Sequence, residues 1–191
     1  MPDVHVTALC GSLREDSVTR VALEHALDAA RGVGATADLV DLRELDLPLF
    51  DPGAEDAGDA PELRARLREA DAIVLGSPMY HGSYASPLKT ALDYSGFDEF
   101  ENTTVGLLAV AGGSFPVTAL EHLRSVCRAL DAWVLPHQAA VPHSHDVVED
   151  GALADEDLAD RVATLGVRVV QYSNIEPDPE TFEACENVGG D

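Results

Sequence analysis

Along this chain, short runs of β-branched and apolar residues alternate with longer stretches whose apolar positions recur every three or four residues. Val4 to Cys10 is the first such run; it ends at Gly11 and reads as a buried strand. From Val18 to about Arg31, residues Val21, Ala22, Ala26, Leu27 and Ala30 fall at helical spacing, and Gly32 and Gly34 stop the helix. A strand over Ala37 to Leu42 follows. Residues 43 to 60, with Pro48, Pro52, Gly53 and Gly58, form a long polar loop. A short helix from Pro61 to Ala70 begins with proline, as helix starts favour. Asp71 to Gly76 is apolar after its first residue, the mark of a central parallel strand. The rest reads as a loop over Ser77 to Tyr84, a helix over Ser86 to Tyr94 and a fourth strand over Thr104 to Ala111. A helix over Val117 to Leu130, a fifth strand over Trp133 to Val141 bent at Pro136, and a last helix from about Leu153 to Tyr172 complete it. Five alternations without a repeat or linker predict one α/β domain, a three-layer sandwich around a five-stranded parallel sheet. Residues 1–173 are expected to form that domain. Residues 174–191, with Pro177, Pro179 and a Gly-Gly-Asp end, read as an acidic C-terminal tail on the surface.

In an open parallel sheet, ligands sit beyond the carboxyl ends of the strands, where strand order reverses. For the order 2-1-3-4-5 that point lies between the first and third strands, so the loops after those strands should carry the chemistry. The first, Gly11-Ser12-Leu13-Arg14-Glu15-Asp16-Ser17, precedes a helix whose unpaired amides and positive dipole end favour a phosphate. Ser12 and Ser17 offer hydroxyls, and Arg14 a fork of donors suited to phosphate oxygens. Arg20 either reinforces that field or pairs with Glu24 one turn onward. The plainer alternative is an ordinary helix start capped by Ser17. The loop lacks both the Gly-Lys-Ser/Thr of a Walker motif and a Gly-x-Gly-x-x-Gly fingerprint, which disfavours a nucleotide hydrolase. The third-strand loop, Gly76-Ser77-Pro78-Met79-Tyr80-His81-Gly82-Ser83-Tyr84, sets aromatic and apolar side chains over backbone amides. A flat ring with an apolar face and a polar edge needs such a wall. Its alternative is an exposed loop whose Tyr80 and Tyr84 pack on the helix below. The fourth loop, Ala111-Gly112-Gly113-Ser114-Phe115, again joins glycines, a hydroxyl and an aromatic ring at the same edge.

Gly11-Ser12-Leu13-Arg14-x-x-Ser17-x-x-Arg20 resembles the opening motif of the NADPH-dependent FMN reductase family, which includes chromate, quinone and azo-dye reductases. Ser77-Pro78-Met79-Tyr80-x-Gly82-Ser83, with Pro87-Leu88-Lys89 and Asp93, is similar to that family's second motif, and Ala111-Gly112-Gly113 to its third. The likeness runs in order over residues 4 to 142. It implies a flavodoxin-like fold with sheet order 2-1-3-4-5. It also implies an FMN-dependent oxidoreductase that moves hydride from NADPH or NADH to the flavin and on to a quinone, free flavin or similar small-molecule acceptor. By the same resemblance Ser12, Arg14 and Ser17 bind the FMN phosphate with Thr19 near it. Pro78, Met79, Tyr80, His81 and Gly82 line the ribityl chain and isoalloxazine, and Gly112, Gly113 and Ser114 meet the ring's other edge. Thr19 and Thr90 stand where the family usually has asparagine. No general acid or base is assigned, since the flavin carries the chemistry, and His81 reads as an exposed loop histidine. The family implies a homodimer or homotetramer with helices near Pro87 to Tyr94 and Val117 to Leu130 at the interface. Two rival readings are an FMN electron carrier without NAD(P)H turnover and a non-catalytic flavin-binding protein.

Charge narrows the partners further. The formal net charge is -23, from 35 acidic residues against 12 lysines and arginines, and Lys89 is the single lysine. The acids are dispersed through every predicted helix and loop, which reads as a solvated acidic shell of the kind found in proteins of salt-loving archaea. A partner with a basic surface is the lesser alternative, and so few cations speak against nucleic acid. No apolar run reaches the length of a membrane span, and the first residues lack a secretory pattern, so a cytoplasmic protein is expected. Cys10, Cys127 and Cys185 are widely spaced and odd in number, against a disulfide framework. His137, His143, His145 and Asp146 cluster after the fifth strand without a spacing that fixes a metal geometry. Cys10 and Trp133 are expected in the core.

Overall fold

Hydrophobic alternation along the strands divides the interior into two cores, one on each face of a twisted sheet. A computed structural model describes residues 4–173. Its strands are β1 (His5–Cys10), β2 (Thr36–Asp41), β3 (Ala72–Tyr80), β4 (Ser83–Tyr84), β5 (Thr104–Val110), β6 (Trp133–Val141), β7 (Val148–Glu149) and β8 (Ala152–Leu153). Its helices are α1 (Val18–Gly32), α2 (Ala60–Arg68), α3 (Ser86–Asp93), α4 (Phe97–Phe100), α5 (Val117–Ala129) and α6 (Glu156–Gln171). Five strands pair in parallel in the order β2-β1-β3-β5-β6. This is the order expected, once the short strands are left out of the count.

Val6, Ala8 and Cys10 of β1, with Ala72 and Val74 of β3, turn towards α1 and α6. Leu9, Ile73 and Leu75 turn the other way, onto α2, α3 and α5 through Leu63, Leu67, Leu88 and Leu120. Each fully buried aliphatic side chain contributes about 1.5–3 kcal/mol, so both helical layers are held chiefly by these contacts. Helices α1 and α6 lie nearly backbone to backbone: a Cβ on Gly166 would fall 1.9 Å from the carbonyl oxygen of Ala26. A Cβ on Gly76 would fall 2.6 Å from Cδ1 of Leu23, which presses the same helix onto β3.

Several boundaries differ from the sequence expectation, each for a local reason. Strand β3 does not stop at Gly76 but continues through Ser77, Pro78, Met79 and Tyr80, with Ser77 opposite Ala109 and Pro78 opposite Val110. The proline is tolerated because Gly76 faces β1, ladder directions alternate, and Pro78 therefore faces the side where β1 has already ended. His81 (φ 51°) and Gly82 (φ 83°) then supply the two positive φ values of a tight hairpin turn, folding β4 antiparallel onto β3. A sixth, antiparallel strand thus joins the sheet. A second small hairpin, β7–β8, turns at Asp150 and Gly151. It delays α6 to Glu156, where Asp155 caps the helix by accepting the Leu158 N–H at 2.8 Å. The ladder between β5 and β6 shifts register between Val105 and Leu107, where Pro136 was expected to bend the strand. Trp133, expected in the core, is 44% exposed because β6 is an edge strand. Cys10 and Cys127 are buried. The acidic tail lies outside the described residues. No helix among the described residues is long and apolar enough to cross a membrane.

Candidate active site

At the carboxyl edge of the sheet, between the ends of β1 and β3, lies a cleft of about 740 Å3. One end is built by the turn from β1 into α1. Gly11 makes that turn possible: its N–H donates to the Gly76 carbonyl at 2.8 Å, and a Cβ there would stand 2.8 Å from the Cβ of Leu88. Ser17 is the N-cap of α1, its Oγ accepting the Arg20 N–H at 3.1 Å. Ser12 Oγ accepts the Arg14 N–H at 3.4 Å. Ser12, Ser17 and Thr19 are all buried. The backbone N–H groups of residues 15–19 have no acceptor among the described residues, and all five residues line the cleft. A row of orphan amides at the positive end of a 15-residue helix suits a phosphate. Arg14 is exposed at the rim and makes no ion pair among the described residues.

Arg20 does not pair with Glu24. Its Nη1 donates to Oδ2 of Asp41 at 2.8 Å, its Nη2 donates to the Glu15 carbonyl, and Glu24 turns instead to Arg31 at 3.6 Å. The hydrogen bond to Asp41 raises the pKa of Arg20 further. Beneath the loop, burial pushes the Cys10 thiol up to about 11, against the opposing hydrogen bond from the Ser12 backbone. Cys10 is therefore a neutral, packed thiol rather than a nucleophile.

The side walls come from two other strand ends. Pro78, Met79 and Tyr80 line one, buried, half-buried and exposed in turn. Thr118 of α5 steadies this wall with a hydrogen bond to Sδ of Met79 at 3.4 Å. Val110, Gly112, Ser144 and His145 line the other. The Ser144 N–H donates to the Ala111 carbonyl at 3.0 Å and the His143 N–H to the Gly113 carbonyl at 3.2 Å, which pins the loop after β6 onto the loop after β5. Val148 and Gly151 of the β7–β8 hairpin close the cleft beside α1.

Of the residues singled out in the sequence, Ser12, Arg14, Ser17, Thr19, Pro78, Met79, Tyr80 and Gly112 meet around this one cleft. His81 and Gly82 do not line it, because they form the turn of the β3–β4 hairpin. Gly113 and Ser114 stand outside the lining as well, Ser114 Oγ being hydrogen-bonded to Nε2 of His143 at 3.3 Å. The histidines in and after β6 diverge: His137, within the strand, bonds the Arg161 carbonyl, His143 bonds Ser114, and of the three His145 alone lines the cleft. No group of three or more metal-ligating side chains forms among the described residues. Sequence reading singled out His145 within a polar loop but did not bring it to this cleft, and it left Ser144 and the β7–β8 hairpin unread as cleft walls. The polar loop following a fifth strand at the same sheet edge was the available signal.

The NADPH-dependent FMN reductase family model matches residues 4–146, a span that begins with β1 and ends beyond His145. The chain belongs to the NADPH-dependent FMN reductase family. Family membership makes it an oxidoreductase with FMN as flavin and NAD(P)H as co-substrate. An FMN-dependent NADPH-azoreductase of Staphylococcus aureus is 30% identical over 179 residues, 88% of this chain and 95% of that protein. Another, from Staphylococcus saprophyticus, is 38% identical over 119 residues, 60% of this chain and 63% of that protein. Among solved structures, the NADH:FMN oxidoreductase EMOB in its apo form aligns with a TM-score of 0.72 at 22% identity, covering 91% of this chain and 92% of that one. FerB, an NAD(P)H:acceptor oxidoreductase from Paracoccus denitrificans, aligns with a TM-score of 0.74 at 21% identity over 89% of this chain and 97% of that one. At such identities these two matches establish the flavodoxin-like fold alone.

Proposed function

We propose that this member of the FMN reductase family binds FMN in the β1–β3 cleft and delivers reducing equivalents from NAD(P)H to a small planar acceptor such as a quinone or an azo compound. The observation that carries the reading is the convergence, at one end of one cleft, of the free amides of residues 15–19 with Ser12, Ser17 and Arg14. The residues present fit the cofactor. The phosphate end supplies amide donors, hydroxyls and an unpaired arginine, while the far walls supply an apolar strand edge opposite a glycine with no side chain to intrude.

FMN, when bound, supplies the capacity to take up hydride and to pass electrons on. The protein's share is to hold, orient and shield. Ser12, Arg14, Ser17 and Thr19 anchor the phosphate end, and Pro78, Met79 and Tyr80 present a flat wall. Gly112 keeps the opposite wall thin. Acceptors such as quinones take up protons as well as electrons, and His145 sets an imidazole on that wall beside the proposed acceptor position. The similarity to FMN-dependent NADPH-azoreductases supports an azo compound as one acceptor to test. A homo-oligomer accords with the exposed Phe97, Phe115 and Val117 on or beside α4 and α5, and size-exclusion chromatography with light scattering tests it.

The visible spectrum of the purified protein, after FMN is added and the excess removed, tests the main reading. Retained flavin bands that bleach anaerobically with NADPH or NADH are expected. Retained bands that stay oxidised with both nicotinamides would instead establish an electron carrier. Failure both to retain FMN and to oxidise NAD(P)H with FMN present overturns the proposal.

A further inference from the structure

The loop that offers its amides to the cleft is held in place by very little of its own. Residues 13–16 are exposed, and the Arg14 N–H bonds only to Ser12 within the same turn. Among the described residues, one bond ties residues 13–16 to a segment outside the loop: the one from Arg20 Nη2 to the Glu15 carbonyl. The same guanidinium reaches across to the end of β2, where Nη1 donates to Oδ2 of Asp41 at 2.8 Å. Asp41 is buried, and its other oxygen, Oδ1, accepts the Arg43 N–H at 3.1 Å. Both oxygens of this carboxylate are thus occupied, and it is a fixed post. Three segments that meet at the phosphate end (the loop, the first turn of α1 and the end of β2) are cross-linked through one planar side chain.

We propose that Arg20 is a positioning residue, which sets the free amides of residues 15–17 by bracing Glu15 against Asp41 rather than by contacting the anion. The proposal rests on the FMN reading above. Although Arg20 borders the cleft, its charge is already matched at short range by a buried carboxylate. The chain thus divides two arginines of one motif between two duties. Arg14 carries the free charge, and Arg20 carries the geometry. A guanidinium suits the second duty because its fork donates in two fixed directions at once, whereas an ammonium is a point charge on a flexible stem.

Arg20→Lys separates these duties, since it keeps the charge beside Asp41 and removes the rigid fork. FMN and riboflavin dissociation constants, read by flavin fluorescence quenching, give the test, because riboflavin has no phosphate for the loop to hold. Arg20→Lys is expected to weaken FMN about tenfold while riboflavin affinity stays within about twofold. Asp41→Asn is expected to weaken FMN in the same direction, and the double variant Arg20→Lys with Asp41→Asn to be no worse than either alone. Wild-type affinity in Arg20→Lys overturns the proposal, as does equal loss of both flavins. Tighter FMN binding in Asp41→Asn also overturns it, since a released arginine would then be meeting the phosphate directly. Hydrogen exchange in the flavin-free protein supplies a readout independent of the cofactor. The hydrogen-bonded amides of Arg14 and Val21, whose acceptors are Ser12 Oγ and the Ser17 carbonyl, should exchange faster in Arg20→Lys, and unchanged exchange there sinks the brace even if FMN binds. A wild-type protein that binds no FMN but shows this exchange difference would sink the cofactor reading and leave the brace standing.

Discussion

Gly112 and His145 occupy one place from two loops: a Cβ on Gly112 would lie 3.3 Å from Nε2 of the histidine. The imidazole packs over the α-carbon, and only a residue without a side chain leaves it there undisturbed. Gly112→Ala should displace the exposed His145 side chain by a few tenths of an ångström and lower acceptor turnover several-fold, with little change in stability. Gly113→Ala is the control, because nothing lies within 4 Å of the Cβ it would add. Steady-state rates with a quinone, alongside melting temperatures, check the pair. Equal behaviour of the two variants would remove His145 from the acceptor step.

Arg14 is exposed and has no ion-pair partner among the described residues, so its removal disturbs no contact of the fold. Arg14→Gln should leave the melting temperature of the flavin-free protein unchanged. It should weaken FMN by about 1.5–3 kcal/mol, the worth of a charge-assisted hydrogen bond, and make binding less sensitive to salt. Titrations at two ionic strengths measure both effects.

The two described thiols set an alkaline limit on stability. Each has an ordinary value of 9.0, and burial holds Cys10 up to about 11 and Cys127 up to about 12. The folded state therefore keeps protons that the unfolded chain gives up. Their stabilising contribution is complete below pH 9.0, shrinks as pH rises above it, and is lost by about 11 to 12. Chemical denaturation across that range should show the decline, and Cys10→Ala should make it shallower. In native protein neither thiol should react with a bulky disulfide reagent near pH 8, whereas both should react after unfolding.

A formal net charge of -23 on 191 residues makes self-repulsion a large term in stability. Raising salt from about 0.1 M to about 2 M should raise the melting temperature by screening that repulsion. A melting temperature indifferent to salt would show that the dispersed acids interact too weakly to matter.

Sequence periodicity located the sheet because a strand buried on both faces must be apolar at every position, as Ala72, Ile73, Val74 and Leu75 are. It misread Ser77 to Tyr80 because proline and polar residues signal a loop, and whether Pro78 loses a hydrogen bond depends on where the neighbouring strand ends. His81-Gly82 was legible as a turn only in part, since histidine is a less common occupant of positive φ than asparagine or aspartate. Ser12, Arg14 and Ser17 lie within six positions of one another, so a local motif was enough to bring them to one cleft. Arg20 and Asp41 are 21 residues apart, and Gly112 and His145 are 33 apart. Such pairs are set by the folded sheet and leave no spacing to read.

The backbone contact between Gly166 and Ala26 places α1, whose first turn borders the cleft, in the keeping of α6. During synthesis α1 can dock on β1 and β3 early, yet the helix that covers its other side, α6, is not made until the ribosome has passed residue 166. If the cleft holds FMN as proposed, the loop from β1 to α1 gains its final shape late, and a nascent or truncated chain lacking α6 should sample an open, aggregation-prone form that cannot retain flavin. In the cell, cofactor capture would then report that translation has run through α6.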